Sequence, residues 1–210
     1  MDILDLNEKA WDKIGKNIVS PYIKSKDYKQ MFDLFCKKLP KNGEVLDFGC
    51  GPGLPFAKEL SDIGFKVTGI DLSKIMVKEA QKNVPKAKFK QVSMTKIKFI
   101  EKFAGVFSSY TMLCLNPENF SKAAKKAVRA LKPKGIMFLS VNEPDKKVWP
   151  EGDNYCEIMG QKMYSRPYSE KEIRQYFEPL GMKILKVKRE TTFSKAYGEE
   201  HTLIVIMEKK

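Results

Sequence analysis

The chain has 210 residues, 42 % of them hydrophobic and 11 % aromatic, which is enough for one domain around one core. No apolar run approaches the ~20 residues of a membrane span, and the start MDILDLNEKAWDK lacks the apolar stretch of a secretory signal, so a cytoplasmic protein without membrane association is expected. The net charge of +13 rests on 35 Lys and only 4 Arg spread along the whole length; with so few guanidinium forks and no basic run interleaved with aromatics, it argues against nucleic acid as a partner and leaves an anionic small molecule open.

Two helices come first, over residues 3–17 and 21–39, with Ser20-Pro21 between them. In the second, Tyr28, Met31, Phe32, Phe35 and Leu39 fall near helical spacing and mark a buried face. A turn at Pro40–Gly43 leads into a first strand over 44–48 and a loop, Gly49–Gly53. A helix over 54–63 follows, which Gly64 can stop in a left-handed cap. Then come a second strand over 66–70, a helix capped by Ser73 and running to about residue 83, and a third strand over 88–92.

A short fourth strand occupies 105–109. Asn116-Pro117 starts a long helix, with Asn as cap and Pro in the first turn. It ends near residue 131, before the turn Lys132-Pro133-Lys134-Gly135 and a fifth strand over 136–141. An irregular stretch reaches from 142 to about 167; Ser169 and Glu172 then form a capping box for a helix to about residue 178. Strands over 182–188 and 202–208 close the chain, joined by a loop of about a dozen residues.

Alternating strands and helices need crossovers, so the sheet is parallel except for its last hairpin. The expected fold is α/β, a Rossmann-like doubly wound sheet of about seven strands with a C-terminal antiparallel hairpin and N-terminal helices. One domain over 1–210 is expected, divided into a helical cap (1–40), a cofactor-binding core (41–141) and a substrate-side segment with the terminal hairpin (142–210). Cys36, Cys50, Cys114 and Cys156 form no CxxC pair, so free thiols and no metal site are expected.

The chemistry is concentrated in Asp47-Phe48-Gly49-Cys50-Gly51-Pro52-Gly53. Glycines at alternate positions let the backbone turn sharply and remove side chains between it and a ligand. In a doubly wound sheet this loop sits at the carboxyl ends of the strands, where ligands bind. About 20 residues on, Asp71 ends the second strand and can accept hydrogen bonds from both hydroxyls of an adenosine ribose. A dinucleotide fingerprint would need Gly or Ala at position 54, where this chain has Leu54. Asp47 would also repel a pyrophosphate, whereas it suits the cationic amino-acid end of S-adenosylmethionine.

Val45–Gly53 and Val67–Ser73 resemble the first two motifs of the class I S-adenosylmethionine-dependent methyltransferases, in particular the small stand-alone enzymes acting on small molecules. The similarity covers roughly residues 40–208, including the turn into the fifth strand and the closing hairpin. It implies S-adenosyl-L-methionine as cofactor and S-adenosyl-L-homocysteine as product. It places Asp47, Gly49, Cys50, Gly51 and Gly53 around the methionine part, Asp71 on the ribose, and Leu72 and Met76 against adenine. Ser93, Met94 and Thr95 would face the adenine amino group, with Ser93 where the family often has Asp. Tyr110 would lie near the sulfur. Ala104 and Cys114 stand where the family frequently has an acid and a His, so neither position offers a base.

Methyl transfer to an O or N atom is a direct displacement that leaves little trace in sequence. His201, the only histidine, together with Tyr164 and Arg166, are the candidate catalytic residues. The last two belong to a Tyr-Ser-Arg-Pro-Tyr stretch that resembles one near the acceptor pocket of similar enzymes. Trp11, Tyr22, Trp149 and Tyr168 are the candidate acceptor-binding residues. Each has a structural alternative: helix packing for Trp11 and Tyr22, a rigid loop for 164–168, a surface role for His201. A cofactor-binding module without turnover and an RNA-directed methyltransferase are the competing functions.

Overall fold

The computed structural model describes residues 2–15, 25–145, 154–194 and 198–210. Its elements are α1 (Ile3–Ile14), α2 (Lys26–Lys38), β1 (Glu44–Phe48), α3 (Phe56–Ile63), β2 (Lys66–Asp71), α4 (Lys74–Asn83), β3 (Lys88–Gln91) and β4 (Phe103–Ser109). They continue with α5 (Pro117–Ala130), β5 (Leu131–Asn142), β6 (Tyr155–Ile158), β7 (Gln161–Tyr164), α6 (Glu170–Phe177), β8 (Met182–Ser194) and β9 (Gly198–Lys209). Seven strands form one sheet in the order β3-β2-β1-β4-β5-β9-β8. The first five are parallel; β9 runs antiparallel to both β5 and β8.

Both faces of the sheet are covered, which is why its central strands are continuously apolar. Leu46, Phe48, Ile70 and Val106 face one core with Phe120 and Ala127 of α5. Val45, Val67 and Phe107 face the other, with Phe32 and Phe35 of α2 and Leu60 of α3. Four caps read from the sequence are formed: Gly64 at φ 107°, Ser73 accepting from the Met76 N–H, Asn116 accepting from the Asn119 N–H ahead of Pro117, and the Ser169–Glu172 box.

Several boundaries differ. α2 starts at Lys26, capped by Ser25, and α1 stops at Ile14. α3 starts at Phe56, with Pro55 at the cap. The Lys132–Gly135 turn is an irregularity within β5, across which the register to β4 jumps from Leu131 to Ile136. The stretch expected to be irregular contains the hairpin β6–β7, which forms its own two-stranded sheet. Its turn, Met159-Gly160, has both φ values positive, 50° and 74°, a hairpin geometry usually announced by Asn-Gly rather than by Met. β8 and β9 reach to Ser194 and Gly198, because the polar run Arg189–Ser194 continues the ladder opposite Leu203–Gly198. Among the described residues, no helix is long and apolar enough to cross a membrane.

Candidate active site

Strand order reverses between β1 and β4, and the connections leaving the two strands diverge there. Opposite that opening the glycine loop folds back on β2: the Gly49 and Cys50 N–H groups both donate to the Ile70 carbonyl at 2.9 Å. Asp71 is fixed by two main-chain donors, Gly51 N–H to Oδ2 and Ser73 N–H to Oδ1, each at 2.9 Å. These bonds orient the carboxylate while leaving each oxygen a further lone pair. Together the loop, the ends of β1, β2 and β4, helix α1 and hairpin β6–β7 enclose a cavity of about 420 Å³.

Electrostatically the floor of the cavity is acidic. Asp47 is 3 % exposed and accepts no hydrogen bond from the described residues. Burial, and next the Asp71 charge, push its carboxyl up to about 8. Burial likewise raises Asp71 to about 6, against the lowering by its Ser73, Gly51 and Leu72 amides. The Cys50 thiol is pushed up by burial and then by both acids. Two buried carboxylates on adjacent strands make a place where a cation is favoured and a phosphate is not.

Helix α1 forms the roof. Asn7 donates to the carbonyls of Cys114 (2.9 Å) and Tyr164 (3.0 Å) and accepts from the Tyr164 N–H (2.8 Å). Asp12 accepts from Ser73 Oγ and from the Ile75 N–H, so α1 is tied to the start of α4 as well. Asn7 and Asp12 were missed in the sequence; the available signal was a polar residue, Asn7, on the helix face that carries Leu4 and Trp11.

Most of the expected cofactor residues meet in this cavity. Asp47, Gly49, Cys50, Gly51, Asp71 and Leu72 line it, and so do Met76, Ser93, Met94 and Tyr110. Trp11 lines it from α1. Gly53 and Thr95 are not among its walls. A Cβ on Gly53 would stand 3.2 Å from Ala80 and Val84, so this glycine lets the loop pack on α4. The Thr95 hydroxyl bonds Ser93 Oγ at 2.9 Å and shapes the turn after β3. Tyr22 and Trp149 lie outside the described residues.

The residues expected to be catalytic do not converge there. His201 is in contact with Asp145 (3.1 Å) and Glu199 (2.7 Å) and does not line the cavity. Its ring is held by these two acids at the start of β9. Arg166 pairs with Glu172 at 2.6 Å and lies over the Tyr168 ring at 4.3 Å. Tyr164 is held through its main chain by Asn7, with its ring edge-on to Tyr155. Tyr168 is fully buried, stacked on Phe120 at 4.2 Å, its hydroxyl donating to the Leu115 carbonyl at 2.6 Å. Residues 164–168 thus form a clasp between the hairpin and the capped α6, and of the five only Ser165 reaches the cavity. Tyr168→Phe is expected to lower unfolding stability by about 1 kcal/mol, the size of one buried hydrogen bond, with ligand affinity unchanged. Chemical denaturation beside ligand calorimetry would show it, and a selective loss of affinity would restore a binding role to Tyr168. Unanticipated wall residues are Ser109, Asn142, Glu157, Glu199 and Glu200.

Comparison with known proteins agrees with this geometry. Residues 45–135 match the methyltransferase domain family. YqeM of Bacillus subtilis (strain 168), a protein assigned to the methyltransferases, is 33 % identical over 122 residues, 54 % of this chain and 49 % of that one. The ubiquinone biosynthesis O-methyltransferase of Pelagibacter ubique (strain HTCC1062) is 31 % identical over 145 residues, 63 % of this chain and 59 % of that one. The matches therefore span only about half to three-fifths of these relatives. Among solved structures, the 1,6-didemethyltoxoflavin-N1-methyltransferase of Burkholderia thailandensis superposes with a TM-score of 0.74 at 18 % identity, over 98 % of this chain and 88 % of that one. Residues 45–135 therefore resemble a methyltransferase domain, and the fold is that of the solved methyltransferase on which the chain superposes.

Proposed function

We propose that the chain binds S-adenosylmethionine and transfers its methyl group to an O or N atom of a small-molecule acceptor. The observation that carries this reading is the pair Asp47 and Asp71 flanking the Gly49–Gly51 turn in the wall of one cavity. The residues fit the cofactor. A Cβ on Gly51 would meet nothing within 4 Å, so the turn leaves ligand space beside the main chain. Asp47 has a carboxyl without a hydrogen-bond donor among the described residues, and its ionised form matches an ammonium group. Asp71 would hold the ribose hydroxyls, Leu72 and Met76 the adenine ring, and Ser93 its amino group.

When bound, the cofactor supplies a methyl group on a sulfonium, whose carbon–sulfur bond breaks toward sulfur as the bond to the acceptor forms. The chain's own part is to align the acceptor and exclude water, which α1 and the β6–β7 hairpin do by covering the cavity. Relatives support either acceptor atom, since the Pelagibacter protein carries an O-methyltransferase name and the Burkholderia enzyme is named for N1. The latter was solved with S-adenosylhomocysteine and its substrate bound.

The test is calorimetry with S-adenosylhomocysteine across pH. With its carboxyl near 8, Asp47 carries a proton in most free molecules at neutral pH. The ligand's ammonium favours the ionised form, so binding expels that proton. Affinity is expected to rise by up to about tenfold per pH unit from pH ~6 toward ~8, with roughly one proton released at pH ~7. Heats in buffers of different ionisation enthalpy count that proton. Asp47→Asn should abolish most of the release at pH ~7 and leave only the shallower dependence near pH ~6 that Asp71 contributes. A wild type that does not bind the ligand removes the proposal, and a flat profile removes the role of Asp47.

A further inference from the structure

We infer that the acceptor half of the cavity is built for a nitrogen compound presenting N–H donors, an amine foremost, and rejects anions; Asn142 and Glu200 are its receiving groups. The inference rests on the methyltransferase reading only for the word acceptor, since the selectivity itself is a property of the wall.

The strand order divides the cavity. The cofactor residues Asp47, Asp71 and Leu72 lie at the ends of β1 and β2, while Tyr110, Asn142 and Glu200 lie over the end of β4, the end of β5 and the start of β9. This second half is where an acceptor must sit if the first holds the cofactor. The chain carries 35 lysines and a net charge of +13, yet among the described residues no Lys or Arg lines the cavity. The charged wall groups among the described residues are all acids, with Glu157, Glu199 and Glu200 added to the two aspartates. An anion would enter a field of acids and meet no cation among the described residues. The anionic acceptor left open by the net charge is therefore disfavoured by the local charge.

The hydrogen-bonding inventory points the same way. The hydroxyls on this side are engaged with one another: Tyr110 with Thr202 at 2.6 Å, and Tyr28 donating to Ser109 at 2.7 Å. Asn142 is 5 % exposed and donates its amide to Glu200, itself 7 % exposed, at 3.3 Å. That leaves Asn142 Oδ1 buried with no partner among the described residues. A buried amide oxygen without a donor calls for one, and Glu200 sets a negative charge beside it. Behind this wall Glu190, the cross-strand neighbour of Thr202, has a second buried oxygen without a donor. Unfilled acceptors next to buried carboxylates match an ammonium or amide N–H and nothing that carries only lone pairs.

The experiment uses the full chain and a fragment panel in which the same aromatic cores carry an aminomethyl, a carboxamide or a carboxylate group, screened by ligand-observed NMR. The expected result is that aminomethyl and carboxamide members bind and their carboxylate counterparts do not. Glu200→Gln should weaken aminomethyl binding by about tenfold, the scale of one charge-assisted contact, and Asn142→Leu should weaken carboxamide binding. Carboxylates binding as well as amines, no member binding at all, or an unchanged preference in both variants would each overturn the inference. The screen is run with and without S-adenosylhomocysteine. Failure of that nucleoside to bind would sink the methyltransferase reading alone, and an amine preference in its absence would still stand.

Discussion

Asp71→Asn is expected to weaken binding of S-adenosylhomocysteine by about 100-fold or more, while the unfolding midpoint hardly moves. The affinity loss follows from two ribose hydroxyls that each donate to a carboxylate oxygen; hydrogen bonds to a charged group contribute about 1.5–3 kcal/mol apiece, and about 3 kcal/mol is already 100-fold. The stability side has the opposite sign. The folded-state carboxyl of Asp71 titrates near 6, above the ordinary value. Its contribution to stability is present in acid and is lost as pH rises through about 6, so at neutral pH the ionised group costs the free protein roughly 3 kcal/mol. Asparagine removes that cost but turns one amide N–H₂ toward a main-chain N–H that Asp71 now satisfies, a mismatch of about 1–3 kcal/mol. The two effects nearly cancel. Calorimetry beside thermal unfolding separates the outcomes: unchanged affinity would remove Asp71 from the cofactor site, and a collapse of the fold would make its role structural.

The same residues show how far the sequence could be read. Asp47, the glycine turn and Asp71 were legible because they are local: a strand, its exit loop and the next strand's end fix their positions within about 25 residues of one another, and the parallel register of β1 with β2 brings them together. Helix caps were legible for the same reason. The acceptor half was not. Asn142 and Glu200 are 58 positions apart and meet only because β9 inserts between β5 and β8. The hairpin β6–β7 has short strands of mixed polarity, so no period identified it, and its packing on α1 combines the bonds of Asn7 with a small apolar cluster of Ala10, Ile14 and Met163. His201 is the chain's one histidine and lies near a strand start, but which side of the strand it occupies depends on a register that composition does not encode. Arg166 and Tyr168 were picked by resemblance; the structure uses their polar atoms on Glu172 and Leu115.

Two glycines two residues apart should respond to the same substitution in opposite ways. Gly49 has φ 95°, and a Cβ there would fall 2.5 Å from Thr111 Cβ and 2.7 Å from Met94 Cε. Met94 can swing aside, but Thr111 is held by its hydroxyl on the Phe48 carbonyl at 2.8 Å and on Ser108 at 3.0 Å. Overpacking and the unfavourable backbone together set the loss for Gly49→Ala at about 3–5 kcal/mol, a large share of the ~5–15 kcal/mol that holds a domain of this kind together. Gly51 has φ 51° and open space where its Cβ would be. Gly51→Ala therefore costs only about 1–2 kcal/mol of backbone strain, and its N–H can stay on Asp71. Gly51 lines the cavity, however, so a ligand held against this turn would meet the new methyl group. The expected pattern is a poorly folded Gly49→Ala chain and a folded Gly51→Ala chain whose affinity for S-adenosylhomocysteine falls by about tenfold or more, one lost close contact plus the displacement it forces. Thermal unfolding and calorimetry on both variants decide it. Wild-type affinity in Gly51→Ala would mean that the ligand does not approach this main chain, and the glycine turn would then be only a tight connection between strand and helix.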